Sequence, residues 1–404
     1  MVTARELYHD DDGTQSARFL ELAESFRTVY KREPTHWFSS PGRAEIVGNH
    51  TDHQAGKVLV SAISCDMIAA VGLRDDDTVV LASEGYQPIR ISVRDTAMRE
   101  REKGKSIALV RGVLQYLKTC GYRFGGFSAV TQSDIFRGAG VSSSAAFEIL
   151  IAEIVNCLYL GGTLTAVKKA EAGMYAENRY YGKPCGLLDQ CGIALGGLNL
   201  IDFSRREPQI TAVPPLQGYR AVITDTGSSH AALTAHYDDI RREMCEIAAC
   251  FGKNVLGEVE KSDFFERIPA LRTAVSDRAV LRSIHFFEEC ERADRAAQAL
   301  GNGDVCSFLE QVRLSGESSL KYLQNCYVAG ERSQPVTLAL YLSEHYLKDG
   351  AYRMMGGGFA GSVLAFCPEE ETQAYYGAMA RVFGADHVYF TNFRLFGTTQ
   401  LKLD

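Results

Sequence analysis

Apolar positions cluster along the first half of the chain in short runs separated by turn residues. Val58 to Val71 is rich in Val, Ile and Ala, and Thr78 to Ser83 and Ile89 to Val93 have the length and β-branched content of strands. Ile107 to Cys120 changes period: Leu109, Val113, Tyr116 and Leu117 recur at helical spacing and predict an amphipathic helix. Phe127 to Gln132 predicts another strand, followed by a glycine–serine turn and a largely apolar helix over Ala145 to Leu160. A second helix is expected over Thr165 to Asn178, capped by the Thr165 hydroxyl.

The pattern breaks at Val213–Pro214–Pro215, which suggests a boundary between a domain of residues 1–210 and one of residues 211–404. Beyond it, Tyr219 to Thr224 and Val363 to Phe366 predict strands, and Ala235 to Phe251 and Val280 to Leu300 long helices. Strands mixed with runs of helices predict an α+β protein of two layered domains with a cleft between them. A chain of 404 residues has the length for two such cores.

Composition narrows the function classes. A formal charge of −7 argues against a nucleic-acid partner, which selects for a basic face. The eleven cysteines form no C-x-x-C pair and no zinc-ligand spacing, so reduced thiols in a cytoplasm are the expectation. The first residues are acidic and polar rather than a basic segment before an apolar one, and no run reaches the roughly 18 apolar residues of a membrane helix. A cytoplasmic monomer acting on small molecules is expected.

Four segments carry chemistry. In Arg137 to Ala146, Gly138 and Gly140 allow a tight turn, Ser142, Ser143 and Ser144 supply hydroxyls, and Ala145 opens a helix whose free N–H groups suit a phosphate. A plain serine-capped helix explains that segment equally well, and no Walker Gly-Lys-Ser/Thr follows. Ser40 to His53 packs Arg43, Glu45, Asn49, His50, Asp52 and His53 together, a set of donors and acceptors suited to sugar hydroxyls or, with two histidines and an aspartate, to a metal. Glu177–Asn178 and Gly186 to Gln190, with Asp189, hold carboxylates of the kind that a phosphoryl acceptor hydroxyl and Mg2+ need, and by residue type alone either acid reads equally as an ordinary surface residue. Arg353 to Ser362 holds Gly356–Gly357–Gly358, a surface for close backbone approach.

Taken in this order, the segments resemble the GHMP kinases, and within them the galactokinases, over nearly the whole chain. Ser40 to Asp52 is similar to the sugar signature A-P-G-R-V-N-L-I-G-E-H-T-D-Y, and Gly138 to Ala146 to the glycine–serine phosphate loop. Glu177 to Gln190 is similar to A-E-N…C-G-x-x-D-Q, Tyr237 to Glu246 to Y-N-x-R-R-x-x-C-E, and Gly356 to Gly361 to the C-terminal glycine motif. The resemblance implies an ATP- and Mg2+-dependent kinase that phosphorylates the anomeric hydroxyl of galactose. It implies Asp189 as proton acceptor with Arg43 beside it, and Ser144 and Glu177 as Mg2+ ligands. It also implies Gly138, Gly140, Ser142, Ser143, Ser144 and Ala145 around the nucleotide phosphates, with His50, Asp52, Asp189 and Tyr237 on the sugar.

The chain departs from the pattern where specificity lies. Glu45 stands at the signature's Asn, Asn49 at its Glu, and His53 at its Tyr. A neutral amide at the position that meets the 6-hydroxyl removes a negative charge, which opens the pocket to a uronic acid, and His50–Thr51–Asp52–His53–Gln54 also resembles the H-x-D-H-Q of galacturonokinases. The alternative is that Glu45 and Asn49 have exchanged places and the pocket still takes galactose. The phosphate loop follows Phe136–Arg137 in place of the usual proline, and Glu317–Ser318–Ser319–Leu320 only partly matches the corresponding stretch. A non-catalytic galactose sensor, an unrelated nucleotide-binding protein and a GHMP kinase for a non-sugar alcohol are the rival readings.

Overall fold

The computed structural model describes residues 2–8, 14–136, 140–227 and 233–403. Its strands are β1 (Val2–Thr3), β2 (His36–Val47), β3 (Lys57–Leu73), β4 (Thr78–Ser83), β5 (Ile89–Ser92), β6 (Phe127–Ser133), β7 (Leu198–Asp202), β8 (Gln209–Val213), β9 (Tyr219–Asp225), β10 (Ala351–Met355), β11 (Ser362–Pro368), β12 (Val388–Thr391) and β13 (Thr399–Lys402). They form two sheets, one ordered β1-β13-β2-β3-β6-β4-β5 with β7 and β8 branching from β3, the other β10-β11-β9-β12.

The apolar run from Val58 to Val71 is nearly all of β3, a 17-residue strand long enough to pair with β7 through Lys57–Ser61 and with β6 through Met67–Leu73. The signature segment is itself a strand, β2, with every residue from Phe38 to Val47 buried. Because both faces are covered, it lacks the alternation that reveals a strand in sequence. Its register slips at Pro41/Gly42, where proline has no N–H to give the ladder.

The helix Ser106–Thr119 buries Leu109, Val113 and Leu117 against Phe127 and Ala129 of the sheet, as its period predicts. The helix Ser143–Tyr159 is buried on nearly all sides. Thr165 caps the next helix by accepting from Lys168 N at 3.1 Å. That helix stops earlier than expected, at Tyr175, and widens into a π-helical turn over Ala176–Tyr181.

The break at Val213–Pro215 falls between β8, on the branch of the first sheet, and β9 of the second sheet. The chain end then crosses back: β13 pairs with β2 and β1, so residues 399–402 belong to the first sheet. A single cut near residue 210 does not describe that return. One core cluster joins the halves, packing Ile46, Leu59 and Ile149 with Ile223, Ala296 and Leu364.

Candidate active site

Strand β2 presents Arg43 at its inner end, where the helix Leu188–Leu195 brings Asp189. Arg43 Nε donates to Asp189 Oδ1 at 2.7 Å and its Nη2 lies 2.6 Å from the same oxygen. Asp189 Oδ2 accepts a hydroxyl hydrogen bond from Ser142, and Arg43 Nη1 donates to the carbonyl of Gly140. Burial pushes the Asp189 carboxyl up, but Arg43, the Ser142 hydroxyl and Lys183 outweigh it and hold the group below the ordinary carboxylate value. Gly140 and Ser142 are both left-handed, at φ 64° and 61°. This turn aims the first turn of the Ser143–Tyr159 helix at the loop. Its amides at Ser143, Ser144 and Ala145 precede the first intrahelical bond, Ala146 N to Ser142 O at 3.0 Å, and so face outward as anion donors. The Ala145 side chain lies in the core, so only its backbone can serve a ligand. Gly138 falls outside the described residues.

Ser144 Oγ donates to Glu177 Oε1 at 2.9 Å. Gln190 Nε2 bridges Glu177 Oε2 and Glu148 Oε2, both at 3.1 Å, and fixes the rotamer of Glu177. Burial, and after it the neighbouring Glu177, raise the Glu148 carboxyl far above its usual value. One hydroxyl and one carboxylate are oxygen donors of the kind Mg2+ takes when phosphates and water complete its shell, so Ser144 and Glu177 fit that ion. Among the described residues there is no cluster of three His, Cys, Asp or Glu groups, and the metal alternative for His50, Asp52 and His53 gains nothing from the structure.

The signature loop after β2 turns through Gly48 (φ 110°) and His50 (φ 57°). A Cβ on Gly48 would sit 2.5 Å from Val58 Cα, so only glycine fits. His50 Nε2 bonds the Gly357 carbonyl at 2.9 Å and its ring stacks on Tyr237, whose hydroxyl donates to Gly358 O at 3.0 Å. Three separate sequence motifs therefore meet at one glycine turn. Burial depresses His50 to about 4 and raises Tyr237 to about 12, so both are neutral near pH 7. Asp52 accepts from His53 N at 2.8 Å and from Leu188 N at 3.3 Å, at the start of the helix that carries Asp189. Burial, and after it the neighbouring Asp189 charge, raise the Asp52 carboxyl against these two amide bonds.

Glu45, on β2, and Asn49, in this loop, are both buried. Asn49 Nδ2 donates to Glu45 Oε1 at 2.8 Å and to Gly356 O at 2.7 Å, and Asn49 Oδ1 accepts from Asn325 at 2.7 Å. Both amide hydrogens of Asn49 are thus committed. Arg353 Nη2 stands 3.0 Å from Glu45 Oε1.

Several supporting residues escaped the sequence reading. His285 Nε2 bonds the Asn49 carbonyl at 2.9 Å, and Glu289 Oε1 accepts from Gly48 N at 2.9 Å. Both sit on the helix Asp277–Gly301 and are fully buried. Nothing local marks them, since charged residues on a long amphipathic helix read as its solvated face. Gln190 and Arg353 lay inside quoted motifs but had no assigned role.

Residues 24–73 match the family model of the galactokinase galactose-binding signature, and residues 108–197 that of the GHMP kinases N terminal domain. The structure is similar to that of Lactococcus lactis galactokinase complexed with galactose, at a TM-score of 0.83 and 23% identity, covering 95% of this chain and 99% of that one. It is similar at TM-score 0.61 and 14% identity to Methanococcus jannaschii mevalonate kinase, over 89% of this chain and 98% of that one. A Streptococcus pneumoniae phosphomevalonate kinase in complex with phosphomevalonate and AMPPNP gives 0.62 and 13%, over 89% and 99%.

Proposed function

We propose, for a chain that belongs to the GHMP kinases and carries the galactokinase sugar-site signature, that it transfers the γ-phosphoryl of ATP to the anomeric hydroxyl of galactose, giving galactose 1-phosphate and ADP. The observation that carries this reading is the Arg43–Asp189 pair, a carboxylate kept ionised at 2.7 Å from a guanidinium and tied by Ser142 to the start of the phosphate-facing helix.

In this reading the sugar lies between Asp189 and the His50–Tyr237 stack, with Asp52 accepting from its hydroxyls. The anomeric oxygen attacks the γ-phosphorus while the bond to the β–γ bridging oxygen breaks and its electron pair leaves with ADP. Asp189 receives the hydroxyl proton, and Arg43 offsets charge on the transferring group. The amides of Ser143, Ser144 and Ala145, with Gly138 and Gly140, hold the phosphates. Ser144 and Glu177 would hold Mg2+, which when bound would neutralise phosphate charge. Positioning and electrostatics supply most of the rate. The enzyme works on small molecules in the cleft between the two sheets, as a cytoplasmic monomer. No described helix is long and apolar enough to cross a membrane.

A second reading, a galacturonate 1-kinase, is supported by the commitment of Glu45 to Arg353 and of Asn49 to backbone and side-chain partners. Neither position then offers a free carboxylate to repel a C6 carboxylate. The test is ADP formation with MgATP against galactose, galacturonate, N-acetylgalactosamine, glucose and arabinose, with Asp189→Asn as the blank. Preference for galactose, abolished in the variant, supports the first reading. Preference for galacturonate replaces it with the second, and no turnover on any sugar rejects both and returns the galactose sensor.

A further inference from the structure

Between the two halves of the block that carries Glu177 and Asp189 stands a lysine with no assigned role. The π-helical turn Ala176–Tyr181 ends on Gly182, which is left-handed at φ 87°. That conformation reverses the chain so that the amides of Gly182 and Lys183 both donate to the Glu177 carbonyl, at 2.9 and 3.1 Å. The Lys183 side chain then runs back over the same residue, and its Nζ comes to 3.4 Å from Glu177 Oε1. Both ends of Lys183 are set by Glu177.

The ammonium lies where the two substrates must meet. Its charge acts on Glu177 first, and also on Asp189 and, across the cleft, on Tyr237. These residues mark the metal side, the acceptor side and the sugar side of the site. Arg43, the other cation here, has its donors committed to Asp189 and to the Gly140 carbonyl. Lys183 is held differently. Its side chain is 55% exposed, and among the described residues its one close carboxylate contact is long for an ion pair. Moreover, the oxygen it approaches is the one that accepts from Ser144, the oxygen a cation between Ser144 and Glu177 takes. An ammonium cannot share that position with Mg2+ and is displaced from it toward the nearest remaining negative charge, which with ATP bound is the γ-phosphoryl.

We propose that Lys183 is a further catalytic residue, whose ammonium rests on Glu177 in the empty site and moves onto the γ-phosphoryl oxygens when Mg2+ and ATP bind. The inference rests on the kinase reading above. It adds a mobile positive charge to the fixed one of Arg43 at the transferring group and makes no change to the bonds formed and broken there. Because it contacts the terminal phosphate, the ammonium distinguishes ATP from ADP.

The test measures binding of MgATP and MgADP by calorimetry, and steady-state kinetics on the preferred sugar, for the parent, Lys183→Met and Lys183→Arg. Lys183→Met is expected to weaken ATP about 10-fold while ADP stays within about 2-fold, and to lower kcat on the order of 10²-fold with the sugar KM little changed. Lys183→Arg, which keeps the charge, is expected to recover most of the ATP affinity. Equal losses for ATP and ADP, unchanged ATP binding, or a loss confined to the sugar KM would overturn the proposal. The side chain is exposed, so an unaltered thermal midpoint is expected in both variants. If the parent binds ATP but turns over no sugar, the kinase reading fails alone and the ATP-to-ADP ratio still decides the role of Lys183. If the parent binds no ATP, both fall.

Discussion

Asn49 and Glu45, four residues apart at the end of one strand and the start of the loop after it, are hydrogen-bonded to each other at 2.8 Å in the interior. The sequence shows an amide and a carboxylate at exchanged positions. The structure shows that the two positions touch, and that the carboxylate of the pair is the ion-pair partner of Arg353, itself fully buried. An exchange between touching positions keeps one negative charge beside one positive charge, so it conserves the electrostatics of the seam between the sheets.

A stability consequence follows for that pair. Glu45→Asn alone strands the Arg353 guanidinium and is expected to cost about 3–5 kcal/mol. Asn49→Glu alone crowds two carboxylates and is also destabilising. The double variant Glu45→Asn/Asn49→Glu restores one carboxylate to the pair and is expected to recover most of the loss. Urea unfolding of all four proteins gives the coupling, and additive losses would show that the two side chains act independently.

Gly186 lies against Asp52: a Cβ there would stand 1.8 Å from Asp52 Oδ2. Gly186→Ala must therefore displace the carboxylate from the sugar side of the site. The expected result is a loss of roughly 10²-fold in kcat/KM for the sugar, with nucleotide affinity unchanged. An unaltered kcat/KM would remove Asp52 from the set of sugar contacts.

His50 makes the fold sensitive to acid. In the folded protein it titrates at about 4, against an ordinary value near 6.5, chiefly because of burial. As the pH falls through 6.5 the unfolded chain takes up a proton that the folded chain refuses until about pH 4. The stability is thus complete above pH 6.5 and declines between 6.5 and 4, by up to about 3 kcal/mol for this group. His53 and His285 are depressed in the same direction. Unfolding free energies at pH 7.5 and 4.5 should therefore differ less in His50→Gln than in the parent.

What the sequence determined by itself is local. Period and residue type separate the Ser106–Thr119 helix from strands β4 and β6: Leu109, Val113 and Leu117 recur at helical spacing, burial in β4 alternates at Val79 and Leu81, and β6 is a short run buried on both faces from Phe127 to Thr131. The Thr165 cap is likewise a matter of a hydroxyl three residues before an amide. The chemical motifs were legible for the same reason: Arg43, Ser142–Ser144, Glu177, Asp189 and Tyr237 announce themselves by residue type in short windows.

What only the tertiary structure decided is which of these groups meet, and what each is already bonded to. Strand β2 was hidden because burial on both faces erases alternation, and the return of β13 to the first sheet leaves no trace near residue 210. His285 and Glu289 act on the signature loop from a helix more than two hundred residues away in sequence, through bonds to backbone atoms of Gly48 and Asn49. Backbone acceptors and donors are the same at every position, so no side-chain pattern can encode that partnership. Asn49 reads as a pocket residue until its amide hydrogens are counted, and Lys183 reads as a surface lysine until Gly182 folds it back over Glu177. In each case the deciding quantity is a distance between atoms, which the folded backbone sets and residue type alone does not.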